Sequence, residues 1–217
     1  MKNIFSTTLL IAFVCLQLTS CKDKAKEATT TAAEEVEETV NAESYSVNAD
    51  ASTIEWKGFK PTGSHNGTIA IENGVLEIAN GKIVGGTFLI DMNSIVVTDI
   101  PAEEKGNAKL AGHLKSADFF DVENHPSAGF TITGLEVVEG KTMLSGNLSL
   151  KDAKNNVTFP VTVNNDNGTI TLTSETFTID RSKWNVKYGS KSFFDNLGDK
   201  FINDDMELKV MVKAAKA

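Results

Sequence analysis

The sequence predicts an all-β domain, an antiparallel barrel or sandwich of eight or nine strands, carried behind a secretory leader and an unstructured linker. Three observations predict it. Asn66-Gly67, Asn73-Gly74, Asn80-Gly81 and Asn167-Gly168 each supply the positive-φ residues that tight hairpins require. Between them run stretches rich in Thr, Val, Ile and Phe whose alternate residues are apolar, the period of a half-buried strand. A single segment departs from that period towards a helical one. Strands in that number, joined mainly by hairpins, close into a barrel or stack into a sandwich.

Taken from the N-terminus, the first element is a leader. Lys2 provides a basic start, and Ile4 to Leu18 is mostly apolar but too short to read as a membrane span. The run Leu18-Thr19-Ser20-Cys21 that closes it resembles the lipobox of bacterial lipoproteins. That resemblance implies removal of residues 1–20 and a diacylglyceryl, N-acylated Cys21 that anchors the chain to an envelope membrane. Several acyl chains on one residue hold far better than one. Lys22-Asp23 is similar to sorting signals of surface lipoproteins in Bacteroidetes, so the periplasmic face and the cell surface both stay open, with the outer membrane favoured. Residues 21–44 follow as the lipidated cysteine and an acidic tether. Ala, Thr, Glu and Lys dominate it, no aromatic ring occurs, and such a composition buries too little apolar surface to offset ordering entropy. Fully stretched, it would reach roughly 75–80 Å.

The region 45–217 carries the strands. They are expected at Thr53–Phe59, Thr68–Ile71, Val75–Ile78, Ile83–Asp91, Gly129–Val138, Thr142–Leu150, Val157–Val163, Thr169–Ile179 and Met206–Val212. Glu103–Phe120 lacks alternation and spaces Leu110, Leu114 and Ala117 as a helix does, with Pro101 suited to a helix start. Trp184 to Phe194 mixes rings, small residues and lysines without alternation, and reads as a loop over a barrel opening.

The totals exclude several functions. Asp and Glu outnumber Lys and Arg by 29 to 21, a net charge of −8, which lacks the basic footprint of a nucleic-acid binder. Cys15 lies in the leader and Cys21 is the lipid site, so the domain must be held by its core without a disulfide. His65, His113 and His125 do not have metal-ligand spacing, and no metal or catalytic residue is expected. Gly63-Ser64-His65 and Gly189-Ser190 lack a hydrolase elbow, and no glycine-rich phosphate loop precedes a helix. The chain does not read as an enzyme.

Four blocks then coincide with a known family. Gly86 to Ile95 contains Ile90-Asp91-Met92-Asn93-Ser94-Ile95, and Ala111 to Val122 contains His113-Leu114-Lys115-Ser116 and Phe119-Phe120-Asp121-Val122, followed by His125-Pro126 and Phe130. Gly146 to Lys151 with Val157-Thr158-Phe159-Pro160-Val161, and Ile179-Asp180-Arg181 to Val186, complete the set. In this order they resemble the YceI-like domain. The resemblance implies a lipocalin-like antiparallel barrel of eight strands with one short helix, enclosing an elongated apolar cavity. It implies an amphiphilic lipid ligand, a polyisoprenoid above all or a fatty-acid derivative, and no cofactor beyond the covalent lipid. Where the family carries a second histidine in its opening strand, this chain has Lys60 or its neighbours.

The expected ligand contacts are Trp56, Phe88, Phe119, Phe120, Phe130, Phe159, Arg181, Trp184 and Tyr188. Rings supply large apolar area for lining or packing alike. Arg181, the only arginine, can clamp an anionic head group in two bonds; the simpler expectation is an ion pair with a nearby carboxylate that orders the Trp184 loop. The alternative to a lipid binder is a structural or stress-related interaction module whose barrel is filled by its own side chains.

Overall fold

The computed structural model describes residues 25–36 and 41–216; the leader and Cys21, with their expected processing and acylation, lie outside the described residues. The strands are β1 (Lys26–Glu27), β2 (Thr29–Ala32), β3 (Glu43–Val47), β4 (Thr53–Lys60), β5 (Gly63–Ala79) and β6 (Lys82–Val97). One helix, α1 (Lys105–Lys115), precedes β7 (Ser127–Val138), β8 (Lys141–Leu150), β9 (Ala153–Asp166), β10 (Thr169–Ser174), β11 (Phe177–Asp180) and β12 (Asp205–Lys216).

Strands β4 to β10 pair antiparallel in chain order, β10 pairs β12, and β12 returns to β4. The sheet thus closes into a ring of eight staves, the size whose interior holds side chains or one slender guest. Period-two alternation fills that interior. Ile54, Ile71, Ile90, Leu144, Val157, Leu172 and Val212 are all buried on the inward face.

Two staves are each made of two strands. β3 and β4 occupy one position between β12 and β5, and β10 and β11 occupy another along β12. The single strand expected over Thr169–Ile179 is therefore broken at Glu175-Thr176. There Glu175 donates its N–H to the Pro160 carbonyl at 3.1 Å, and the Ser174 hydroxyl accepts the Val210 N–H at 2.8 Å, so a side chain replaces a ladder bond.

The Asn-Gly pairs divide into two kinds. Asn80-Gly81 and Asn167-Gly168 turn hairpins with both residues at positive φ. Asn66-Gly67 and Asn73-Gly74 do not; both lie inside the long strand β5, which the two expected strands Thr68–Ile71 and Val75–Ile78 share, with register shifts at Thr68/Ala70 and Ile71/Asn73. Close approach is the reason for the first of these glycines. A Cβ on Gly67 would stand 1.8 Å from the Val96 carbonyl oxygen, a backbone atom that cannot move aside. Gly67→Ala is expected to destabilise the fold by about 1–3 kcal/mol in denaturant unfolding; an unchanged midpoint would contradict the close approach.

The tether departs most from expectation. Residues 26–32 are not free but form a strap in the barrel wall. β1 pairs β11 in parallel and β2 pairs β9 antiparallel, so the strap fills the seam where β11 has left β9. Ala28 donates to the Thr178 carbonyl at 2.8 Å and is buried. Beyond it, the buried Asn147 side chain grips Glu34 in both directions, accepting its N–H at 3.0 Å and donating to its carbonyl at 2.7 Å. Asn156, also buried, donates to Asn147 and to the Thr133 hydroxyl. The composition could not reveal this because the strap is held by backbone bonds to an open edge, with little apolar burial. Asn147→Ala is expected to release it, at a cost of about 1–3 kcal/mol. Hydrogen exchange should then speed at the amides of 29–34 and stay slow in β8.

Candidate ligand-binding cavity

Helix α1 is too short to be stable alone, and tertiary contacts place it. Asn107 donates from its amide to the carbonyls of Val97 and Ile100 at 3.0 and 2.7 Å, fixing the helix to the end of β6. Leu110 and Leu114, one turn apart, face the barrel, as the spacing predicts. After the helix, Phe120 and Val122 return their N–H groups to Leu114 and Lys115, which turns Phe119 and Phe120 inward; both rings are buried and meet edge to face at 5.1 Å. The expected helix over 103–120 is thus 105–115, followed by this turn.

Beneath α1 lies a chamber of about 290 Å³. Trp56, Ile69, Ile95 and Met206 line it from the strands, and Leu110, Leu114, Phe119 and Phe120 cover it. Its rim is polar, with Lys60, Ser64, His65, Lys200 and Asn203, and Tyr188 from the loop after β11. A second chamber of about 80 Å³ is lined only by apolar residues. It continues the first, because Ile54, Ile71 and Leu208 are the next inward residues after Trp56, Ile69 and Met206 on the same strands. Phe88, Phe130, Phe159 and Phe177 form a row across it, with successive ring centres at 6.3, 6.0 and 4.1 Å.

The expected contacts separate accordingly. Trp56, Phe119, Phe120, Arg181 and Tyr188 line the outer chamber; Phe88, Phe130 and Phe159 line the inner one. Trp184 lines neither. It is fully buried with its ring N–H donated to the Leu148 carbonyl at 2.8 Å, so it seals the wall beside β8 and is a core residue. Trp56 is also buried, and its ring N–H has no acceptor among the described residues.

Arg181 is fully buried, and its guanidinium is engaged within the protein. It donates to the carbonyls of Asn203, Val186 and Ile202 at 3.1, 2.6 and 3.1 Å, and lies 3.3 Å from an Asp204 carboxylate oxygen. The face of Phe119 is 5.1 Å away. Burial lowers its pKa, opposed by the charges of Asp204 and Asp180. These bonds staple both ends of the loop 182–204, so Arg181 builds the chamber wall and leaves head-group contact to the rim.

Two histidines belong to that rim although their spacing gave no sign of a site. The ring of His113 meets Tyr188 edge-on at 4.6 Å, and His65 is paired with Asp99 at 2.8 Å. Partial burial pushes the Asp99 carboxyl up, but hydrogen bonds from the Asn66 N–H and His65 outweigh it and leave the group below the ordinary carboxylate value. Lys60, at the end of β4, stands on the same rim. Among the described residues no three His, Cys, Asp or Glu side chains converge as a metal site.

Comparison with known proteins places this geometry. Residues 45–214 match the family model described as the YceI-like domain. The fold is similar to the crystal structure of BcnA from Burkholderia cenocepacia, with a TM-score of 0.61 at 21% identity, covering 78% of this chain and 99% of that one. It is also similar to a polyisoprenoid binding domain from Saccharophagus degradans, described as implicated in plant cell wall breakdown. There the TM-score is 0.56 at 16% identity, over 80% of this chain and 98% of the other. At these identities the likeness is one of fold. No curated protein matches the chain.

Proposed function

We propose that this chain, which belongs to the YceI-like domain family through its match over residues 45–214, is a membrane-anchored envelope lipoprotein that holds one long-chain amphiphile. The observation that carries the reading is the pair of apolar chambers set end to end beneath α1, opening at a polar rim. An isoprenoid or acyl tail gains about 0.8 kcal/mol per buried methylene there, and needs no catalytic group. The outer chamber lies near the lower bound of small-ligand sites, roughly 300 Å³. The binding named for the Saccharophagus degradans domain agrees with this ligand class. The polar rim, with Lys60 and Lys200, suits the head group.

Anchorage rests on the lipobox-like run ending at Cys21. In this reading the mature protein sits in the cell envelope, on the periplasmic face or the surface, and acts as a carrier or store and not as an enzyme. The strap changes the expected reach. Ala25 accepts a hydrogen bond from Thr178 in the wall, so about four residues, roughly 13–14 Å of stretched chain, separate the anchor from the barrel.

Protein purified from its native envelope should release a bound polyprenol- or acyl-type lipid into organic solvent, detected by mass spectrometry in roughly stoichiometric amount. Empty extracts, with no uptake of added polyprenol, would sink the reading. One observation favours a second reading, a side-chain-filled interaction module: the inner chamber holds only about 80 Å³. In that case no ligand would enter past the phenylalanine row, and extracts and uptake would both be negative.

A further inference from the structure

Three of the exposed large apolar side chains fall within one loop. Tyr188 is 44%, Phe193 44% and Phe194 50% exposed. This loop is braced from within: the buried Ser190 offers its carbonyl to the N–H groups of Phe193 and Phe194 and its hydroxyl to that of Ser192, and Gly189 accepts the Ile202 N–H at 2.8 Å. Ser192 donates to Asp204, the carboxylate partner of Arg181. The rings are thus held outward by a fixed turn, at a cost in exposed apolar area that a monomer has no internal reason to bear.

Cations accompany them. Lys187 lies 5.1 Å over the Phe193 ring, Lys191 3.6 Å over the nearby Phe201 ring, and Lys200 stands on the chamber rim. Rings that enter the head-group region, beside lysines whose ammonium groups stay at its surface, are the composition of a bilayer contact. Tyr188 belongs to both the loop and the chamber rim, so what the loop touches is continuous with the opening.

We propose that the loop Lys187–Phe194 is a bilayer-docking surface, which seats the outer chamber's mouth on the membrane so that an amphiphile can pass between bilayer and barrel. The inference rests on the lipid-binding, Cys21-anchored reading above. Phe193 and Phe194 insert, the lysines meet anionic head groups, and Tyr188 marks the path to the chamber.

The test uses the full chain, bearing a fluorescent non-canonical amino acid at Asp195 beside the rings or at Asn167 at the far end of β9. It is mixed with vesicles of phosphatidylethanolamine and phosphatidylglycerol whose acyl chains carry doxyl quenchers. Quenching should be confined to position 195, fall by about threefold or more in Phe193→Ser/Phe194→Ser, and persist in Phe193→Leu/Phe194→Leu. Equal quenching at both positions, or none, would overturn the proposal, as would quenching at 195 that ignores the serine variant. A lipid-free dimer abolished by the serine variant would overturn it in favour of a second copy. Neither phenylalanine lines a chamber, so polyprenol uptake by the same variants is read separately. Uptake absent from every variant with quenching retained would remove the binding reading and leave the membrane contact standing.

Discussion

Replacing Arg181 by methionine is expected to lower the unfolding free energy by about 3–5 kcal/mol, because it removes a fully buried guanidinium that joins three carbonyls to the half-buried Asp204. The reasons are local and countable by name. Without the guanidinium, Asp204 loses its charge partner and the carbonyls of Asn203, Val186 and Ile202 lose their donors inside the protein. Such a loss is a large part of the 5–15 kcal/mol typical of a domain. Lysine should not restore it, because a single ammonium cannot reproduce the planar fork that reaches three carbonyls and a carboxylate. Combining Arg181→Met with Asp204→Leu should recover part of the loss, since no half-buried carboxylate is then left without its charge partner. Denaturant unfolding of the four proteins in that cycle measures both effects. A single-variant loss below about 1 kcal/mol would mean that the staple contributes no more than a surface pair.

The second large effect concerns binding. Leu110→Trp is expected to weaken polyprenol or fatty-acid binding by about tenfold or more, because the indole takes volume that a tail would fill. Leu110 is half-buried on α1 and faces the outer chamber of about 290 Å³, so the larger ring has space to enter without displacing a strand. Stability should change by no more than about 1 kcal/mol. Displacement of a fluorescent fatty-acid probe gives the affinity, and thermal unfolding the stability. Val137→Trp, at a position 74% exposed on β7, serves as the control and should change neither. Undiminished affinity in Leu110→Trp would place the ligand elsewhere.

Much of this architecture was legible along the chain. Strands β4 and β6 follow from alternation, because their inward faces are buried and their outward faces are largely not. Phe88, Phe130 and Phe159 could be placed inside the barrel for the same reason. What escaped depends on partners distant in sequence. Thr29 to Ala32 is a polar, small-residue run whose only reason to be ordered is the free edge of Asn155 to Thr158 on β9. Asn66-Gly67 reads as a turn because the local sequence cannot show the Val96 carbonyl that excludes a side chain. Trp184 reads as a ligand contact because the local sequence does not show its acceptor, Leu148, which lies on another strand. Arg181 stood out as the lone arginine, yet only the return of the chain at Ile202 to Asp204 determines that its donors turn inward. His65, His113 and Lys60 reach the rim because three separate elements end there, a convergence no spacing rule contains.

A crystal structure of the protein grown with a polyprenol is the most direct measurement. Continuous density should run from the Lys60–Lys200 rim through the space under α1, between Trp56 and Leu110, towards the row of phenylalanines. An interior free of added density at full ligand occupancy in solution, or a polyprenol seated only on the outer face of the sheet, would contradict it.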